Sequence, residues 1–242
     1  LRSLVGSEMC IRDSHYIYDT VKQDGFFPLG TENAKGASLS DLKEFYHFYL
    51  WGKIPNNISD NTKELYEQLV ALTSTLLSWI QDETPVDIKS LFSMPLPDMI
   101  KDSTSHLLRI IHYPPLNGTE QMGAIRGGAH EDINLITLLI GAEEGGLEVL
   151  NKDGSWIKVS PSSEAIVCNI GDMMQLDTDK KLKSTTHRVI QDKLTESKPR
   201  YSIPFFLHPA PSVNLKSIFR DNDEGILAND FLDQRLKEIK LY

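Results

Sequence analysis

Between residues 107 and 207 the chain is a run of short apolar segments divided by turn residues, with no helical period between them. The segments cover residues 107–113, 134–140, 146–150, 156–160, 165–170, 186–190 and 201–207. Short strands at regular spacing without intervening helices predict antiparallel sheets closed into a sandwich or barrel, not a parallel α/β sheet. Asn151-Lys152-Asp153-Gly154 is a turn signal, so residues 146–160 should form a hairpin. A second turn is expected at Gly171-Asp172, and the polar stretch 191–198 is expected to be an exposed loop between strands.

The flanking sequence has a different period. Leu65, Leu69, Leu72, Leu76 and Ile80 recur at steps of three or four. That spacing predicts an amphipathic helix over 61–81 with the leucine stripe on the core. Pro85 ends it, and a further short helix is expected at 86–92. Asp41-Leu42-Lys43-Glu44 reads as a capping box opening a short helix through Phe48. Leu227, Phe231, Leu232, Leu236 and Ile239 mark a closing helix over 224–241. The expected chain is therefore α+β, an all-β core with flanking helices. Residues 15–105 form a helical N-terminal portion, 106–210 the core, and 211–242 a C-terminal helical segment. Residues 1–14 look like translated adapter sequence and are set aside, so the N-terminal portion is expected to be incomplete.

Composition removes several classes of function. A net charge of -9, with Lys180-Lys181-Leu182-Lys183 as the densest basic run, argues against a nucleic-acid partner. No apolar run approaches the length needed to cross a bilayer. Cys10 and Cys168 offer no disulfide framework, and Cys168, within the apolar stretch 165–170, is expected to be a buried reduced thiol. A cytoplasmic setting follows from that reading. Oligomeric state has no signature in the sequence.

His130-Glu131-Asp132, His187 and Arg200-Tyr201-Ser202 carry the chemistry. Two imidazoles and one carboxylate occupy one face of an octahedral ion and leave three positions open, the donor set of non-haem Fe(II) oxygenases. In a strand, residues two apart share a face, so His130 and Asp132 should converge while Glu131 turns away. Arg200 and Ser202 likewise share a face and offer a fixed cation and a hydroxyl to a carboxylate. Each piece alone is weak, and Arg12-Asp13-Ser14 repeats the Arg-x-Ser pattern with no evident use. A helical zinc-protease site is excluded, because Asn134 stands where the second histidine would be. His106, His112 and His208 read as structural or surface groups. Ile110, Met174, Phe205 and Phe206 line a partly apolar pocket or belong to the core. Gln175 and Arg126 meet a polar substrate or lie on the surface.

Order and setting give these motifs their weight. Gly25-Phe26-Phe27-Pro28-Leu29-Gly30, Ile110-Ile111-His112-Tyr113-Pro114-Pro115 and Gly128-Ala129-His130-Glu131-Asp132 occur in sequence. Gly145-Gly146-Leu147-Glu148-Val149, Asn169-Ile170-Gly171-Asp172, Ser184-Thr185-Thr186-His187-Arg188-Val189 and Arg200-Tyr201-Ser202-Ile203-Pro204-Phe205-Phe206 follow. Together they resemble the isopenicillin N synthase-like branch of the Fe(II)/2-oxoglutarate-dependent oxygenases, from about Tyr18 to the C-terminus. The resemblance implies a double-stranded β-helix (a cupin-like jelly roll) with helices against one side. It implies Fe(II) held by His130, Asp132 and His187. It also implies 2-oxoglutarate as co-substrate, its distal carboxylate held by Arg200 and Ser202 with the Tyr113 hydroxyl as a further donor, and O2 as oxidant. The family often has Asn two residues before that tyrosine; Ile111 stands there, so that contact should be absent. The implied reaction oxidises a C–H bond of a small molecule and releases succinate and CO2. Three other readings stay open. One is a same-fold oxidase without 2-oxoglutarate, of the isopenicillin N synthase or aminocyclopropane-carboxylate oxidase type. The others are a 2-oxoglutarate-dependent ethylene/succinate-forming enzyme and a non-enzymatic jelly-roll binding module.

Overall fold

A computed structural model describes residues 14–33, 39–56, 58–90, 92–140, 144–160, 162, 164–191, 197–216 and 224–239. The adapter-like opening with Cys10 and Arg12-Asp13, the middle of the 191–198 loop and the end of the 224–241 helix lie outside them. Strands β1 (Gly25–Phe27) and β2 (Glu44–Phe48) precede helices α1 (Asn61–Glu83), α2 (Val86–Lys89) and α3 (Leu96–Met99). Then come β3 (Leu107–Tyr113), β4 (Gly127–His130), β5 (Ile136–Ile140), β6 (Leu147–Leu150), β7 (Trp156–Lys158) and β8 (Ile166–Ile170). Helix α4 (Asp172–Asp177), β9 (His187–Val189), β10 (Arg200–Leu207), β11 (Asn214–Leu215), β12 (Ile226–Leu227) and α5 (Ala228–Glu238) complete the order.

Two antiparallel sheets make the body. The larger has the order β1-β2-β3-β10-β5-β8 and the smaller β4-β9-β6-β7. Period-two alternation sorts the larger sheet's side chains into two layers. Tyr46, Phe48, Leu108, Ile110, Ile203 and Phe205 join Tyr66, Leu69 and Leu77 of α1 in one core. Phe27, Phe45, Ile111 and Tyr113 point the other way and meet Leu147 and Val189 of the smaller sheet. The space between the sheets holds the site. The double-stranded β-helix with flanking helices is the architecture observed, and the β6–β7 hairpin forms as expected.

Several expectations need correction. Residues 44–48 are strand β2, not a helix, paired with β1 and β3. The Phe45-Tyr46-His47-Phe48 run sends alternate side chains to opposite faces of the sheet, Tyr46 and Phe48 to one core and Phe45 to the other, and this overrides the capping pattern. Asp41 serves tertiary contacts instead, accepting from the Gly128 N–H at 2.9 Å and from Lys43 at 2.8 Å. The N-terminal stretch expected to be helical thus adds two strands to the main sheet. On α1 the buried face is Thr62, Tyr66, Leu69, Thr73 and Leu77, rotated from the leucine stripe. The cause is Tyr66, whose ring meets Phe205 edge-on at 5.2 Å while its hydroxyl donates to the His106 carbonyl. Leu72 is consequently exposed. Gly171-Asp172 opens α4 rather than a simple turn. Residues 226–227 pair as a strand with β11, so the last helix begins at Ala228. Cys168 is exposed, because it faces outward on β8 at the sheet's edge.

Candidate metal centre and adjoining cavities

Strands β4 and β9 place His130 directly opposite His187, and their ring centres lie 4.3 Å apart. Strand β4 ends at His130, so the following turn, rather than strand alternation, carries Asp132 into the same space. Backbone bonds fix that turn: Asp172 N–H donates to the Asp132 carbonyl at 2.7 Å. Asp132 Oδ1 lies 3.9 Å from His130 Nε2 and 3.8 Å from His187 Nε2. One ligand atom from each of the three side chains lies within 4.8 Å of the others. Glu131 turns away to the exposed side, where Thr186 donates to it.

The remaining polar atoms of the triad are already committed. His130 Nδ1 faces the Gly128 carbonyl at 2.7 Å and His187 Nδ1 the Thr185 carbonyl at 3.0 Å. A nitrogen facing a carbonyl carries the proton, which leaves the Nε2 lone pairs free. Asp132 Oδ2 accepts from Thr137 Oγ1 at 2.7 Å and Asn169 Nδ2 at 2.8 Å, leaving Oδ1 toward the imidazoles. Burial, with His187 as the second cause, pushes His130 down to about 4, so it is neutral at pH 7. Burial opposes ionisation of Asp132, but His187, His130 and the bonds from Asn169 and Thr137 hold it below the usual carboxylate range. A neutral imidazole beside an ionised carboxylate suits a divalent transition metal. The donor set fits Fe(II).

Two cavities meet at this triad. The smaller, about 80 Å³, lies between the sheets and is lined by His130, Asp132, His187, Tyr113, Arg200 and Ser202. Register puts Arg200 opposite Tyr113 and Ser202 opposite Ile111. Arg200 is 2% exposed and its guanidinium sits 4.9 Å from the Tyr113 ring centre. Its Nε donates to the Gly145 carbonyl at 3.2 Å, while the buried Nη1 has no hydrogen-bond partner among the described residues. No described carboxylate pairs with it. A buried cation left with a spare donor is costly unless an anion fills the space. The carboxylate of a keto acid fits. Ile111 is apolar and packed in the inter-sheet core, so it offers that anion no donor.

The larger cavity, about 640 Å³, opens on the other side of His130 and Asp132. Arg109, Lys43, His47 and Phe206 form one wall, and Leu232, Leu236 and Ile239 of the C-terminal segment form another. Gln175 lines it too, whereas Arg126 is fully buried and donates to the Lys198 carbonyl. Ile110, Met174 and Phe205 belong to the helix-side core. His112 pairs with Glu44 at 2.7 Å and stacks on Tyr201, while His106 and His208 are buried. Sequence reasoning missed Thr137, Asn169 and the charged wall. The available signal was a polar residue at an inward strand position between apolar ones, as at Asn169 beside Val167.

A profile described as the 2OG-Fe(II) oxygenase superfamily matches residues 104–209. A Shewanella oneidensis protein described as an oxygenase is 44% identical over 98% of this chain and 84% of its own, with a TM-score of 0.81. This chain belongs to the 2OG-Fe(II) oxygenase superfamily. A Caulobacter crescentus structure of the same family is 32% identical over 98% of this chain and 84% of its own, with a TM-score of 0.78. A "2-oxoglutarate-dependent dioxygenase" of Didymella fabae is 36% identical over 70% of this chain but only 52% of its own length. The chain spans between half and three fifths of the curated relatives it first matches, 58% and 52%. No helix among the described residues is long and apolar enough to cross a membrane.

Proposed function

We propose that this oxygenase-family chain is an Fe(II)- and 2-oxoglutarate-dependent dioxygenase that oxidises a C–H bond of a small molecule and releases succinate and CO2. In this reading His130, Asp132 and His187 hold the metal through Nε2, Oδ1 and Nε2. Arg200 and Ser202 take the remote carboxylate of the keto acid, with the Tyr113 hydroxyl as a further donor. When bound, the iron supplies oxygen activation coupled to oxidative decarboxylation of the keto acid.

The chain's own residues orient and exclude. Thr137 and Asn169 hold one Asp132 oxygen so that the other stays aimed at the imidazoles. Arg200 neutralises a carboxylate that would otherwise be buried unpaired. The narrow inter-sheet cavity keeps water from the co-substrate, and the wide one receives the substrate beside the metal. The observation that carries the reading is the unpartnered, buried Arg200 in a cavity that ends at the triad. A cytoplasmic setting fits the free thiol of Cys168 and the retention of ferrous iron.

The test is succinate release with O2 uptake in the presence of Fe(II) and 2-oxoglutarate. One succinate per O2 supports the assignment. O2 uptake with no succinate would replace it with an oxidase of the same fold, and ethylene in the headspace with the ethylene-forming type.

A further inference from the structure

One wall of the larger cavity carries four charged side chains that cancel, with Lys43, Glu32 and Asp41 buried and Arg109 13% exposed. Lys43 Nζ reaches Glu32 at 2.7 Å and Asp41 at 2.8 Å. Arg109 Nη1 donates to both Glu32 oxygens at 3.2 Å. Burial opposes ionisation of Glu32, but Arg109 and Lys43 hold its carboxyl far below the usual range. The wall is thus two cations and two anions.

The side-chain acceptors of Asp41, Glu32 and His47 are already used. Asp41 accepts from the Gly128 N–H and from Lys43, and Glu32 from Arg109 and Lys43. His47 Nδ1 faces the Gln23 carbonyl at 2.6 Å and so carries the proton. Its Nε2 then accepts from Arg109 Nε at 2.9 Å. Spare donors remain. The Arg109 hydrogen bonds among the described residues run through Nε and Nη1, which leaves Nη2, and Lys43 uses two of its three N–H groups on Glu32 and Asp41. The Arg109 guanidinium is also rigid, lying 4.3 Å from the Phe45 ring centre and 5.3 Å from that of Phe206. It lines both cavities, at the boundary between them.

Arg109 and Arg200 therefore ask for different ligands. Arg200 has no carboxylate partner and seeks an anion. Arg109 has its charge matched by Glu32, so a second carboxylate beside it would be buried without compensation. A neutral acceptor needs only the spare N–H groups. We infer that Arg109 is a specificity-determining residue that reads a neutral carbonyl, of the amide or lactam kind, on a substrate whose apolar body rests against Phe206, Leu232 and Leu236. This rests on the larger cavity being the substrate side of the site proposed above.

The test uses matched probes, benzamide and nicotinamide against benzoate and nicotinate, titrated calorimetrically into protein holding Fe(II) and 2-oxoglutarate under anaerobic conditions. The amides should bind at least tenfold more tightly than their acids. Arg109→Met should lower amide affinity at least tenfold and erase the preference. Arg109→Lys keeps a cation beside Glu32 but loses the second terminal nitrogen; it should fold as wild type and still lose the preference. Tighter binding of the acids, no binding of either amide, or an unchanged preference in Arg109→Lys would overturn the inference. Amide selectivity without succinate formation would retain this site and remove the proposed reaction, so the two fail separately.

Discussion

Arg200 stands directly across the β3–β10 ladder from Tyr113, with its guanidinium 4.9 Å from that ring's centre and one buried nitrogen unmatched. Hydrogen bonds to charged groups contribute about 1.5–3 kcal/mol, and each 1.4 kcal/mol is tenfold in binding. Arg200→Gln is therefore expected to weaken 2-oxoglutarate binding by about 10- to 150-fold while Fe(II) affinity holds. Titration of 2-oxoglutarate into the Fe(II)-loaded variant measures this, and an unaltered dissociation constant would remove Arg200 from the co-substrate site.

Thr137 and Asn169 grip the Asp132 oxygen that faces away from the imidazoles. Losing such supporting bonds typically costs about 10–100-fold in metal affinity. Asn169→Ala and Thr137→Val are each expected to fall in that range, with Thr137→Ser restoring most of the loss. Fe(II) titration of the three variants reads the effect. Equal affinities throughout would show that Asp132 needs no such support.

Gly171 joins β8 to α4 under the Asn134 backbone. A Cβ there would meet the Asn134 carbonyl oxygen at 2.1 Å, and its φ of -103° means the objection is steric alone. The next residue's N–H holds the Asp132 carbonyl. Gly171→Ala is expected to destabilise the fold by about 1–3 kcal/mol, the usual cost of overpacking, and to weaken Fe(II) binding as well. Denaturant midpoint and metal titration report the two effects. A variant with wild-type values in both would show that this turn adapts freely.

Stability should fall in mild acid. Burial pushes His106 and His208 down to about 4 from an ordinary 6.5. Between those values the unfolded chain binds more protons than the folded one, so stability is complete above about pH 6.5 and lost as pH drops toward 4. One such histidine gives a slope of up to about 1.4 kcal/mol per pH unit. His106→Leu should flatten the stability curve in this window by about that amount; a curve parallel to wild type would show that His106 titrates normally.

The grouping of His130, Asp132 and His187 was legible from the order and setting of the motifs that carry them, although His187 lies far along the chain from the other two. His130 and Asp132 are two residues apart, and His187 opens β9 within the Ser184–Val189 motif. Most strands between 107 and 207 were legible because alternation and turn residues act over a few positions, whereas β4 and the order of strands within each sheet depend on distant partners. The charged wall was not. Glu32 and Arg109 are 77 positions apart, and nothing near either residue reports the other. Strand β2 was hidden by a competing pattern: Asp41 and Glu44 fit a helix start, yet Asp41 is bound to Gly128 and Glu44 to His112 across the sheet. Tertiary partners decided both cases.

Strands β1 and β2 and the loop between them lie outside the segment that the family profile matches, residues 104–209. They nevertheless contribute Glu32, Asp41, Lys43 and His47 to the roomier cavity. In the reading proposed above, the substrate side is therefore shared: the profile-matched segment supplies Arg109 and Phe206, and the stretch before it supplies the Glu32 carboxylate that matches the charge of Arg109. Under that reading, substitutions before residue 104 would alter ligand choice without touching His130, Asp132 or His187.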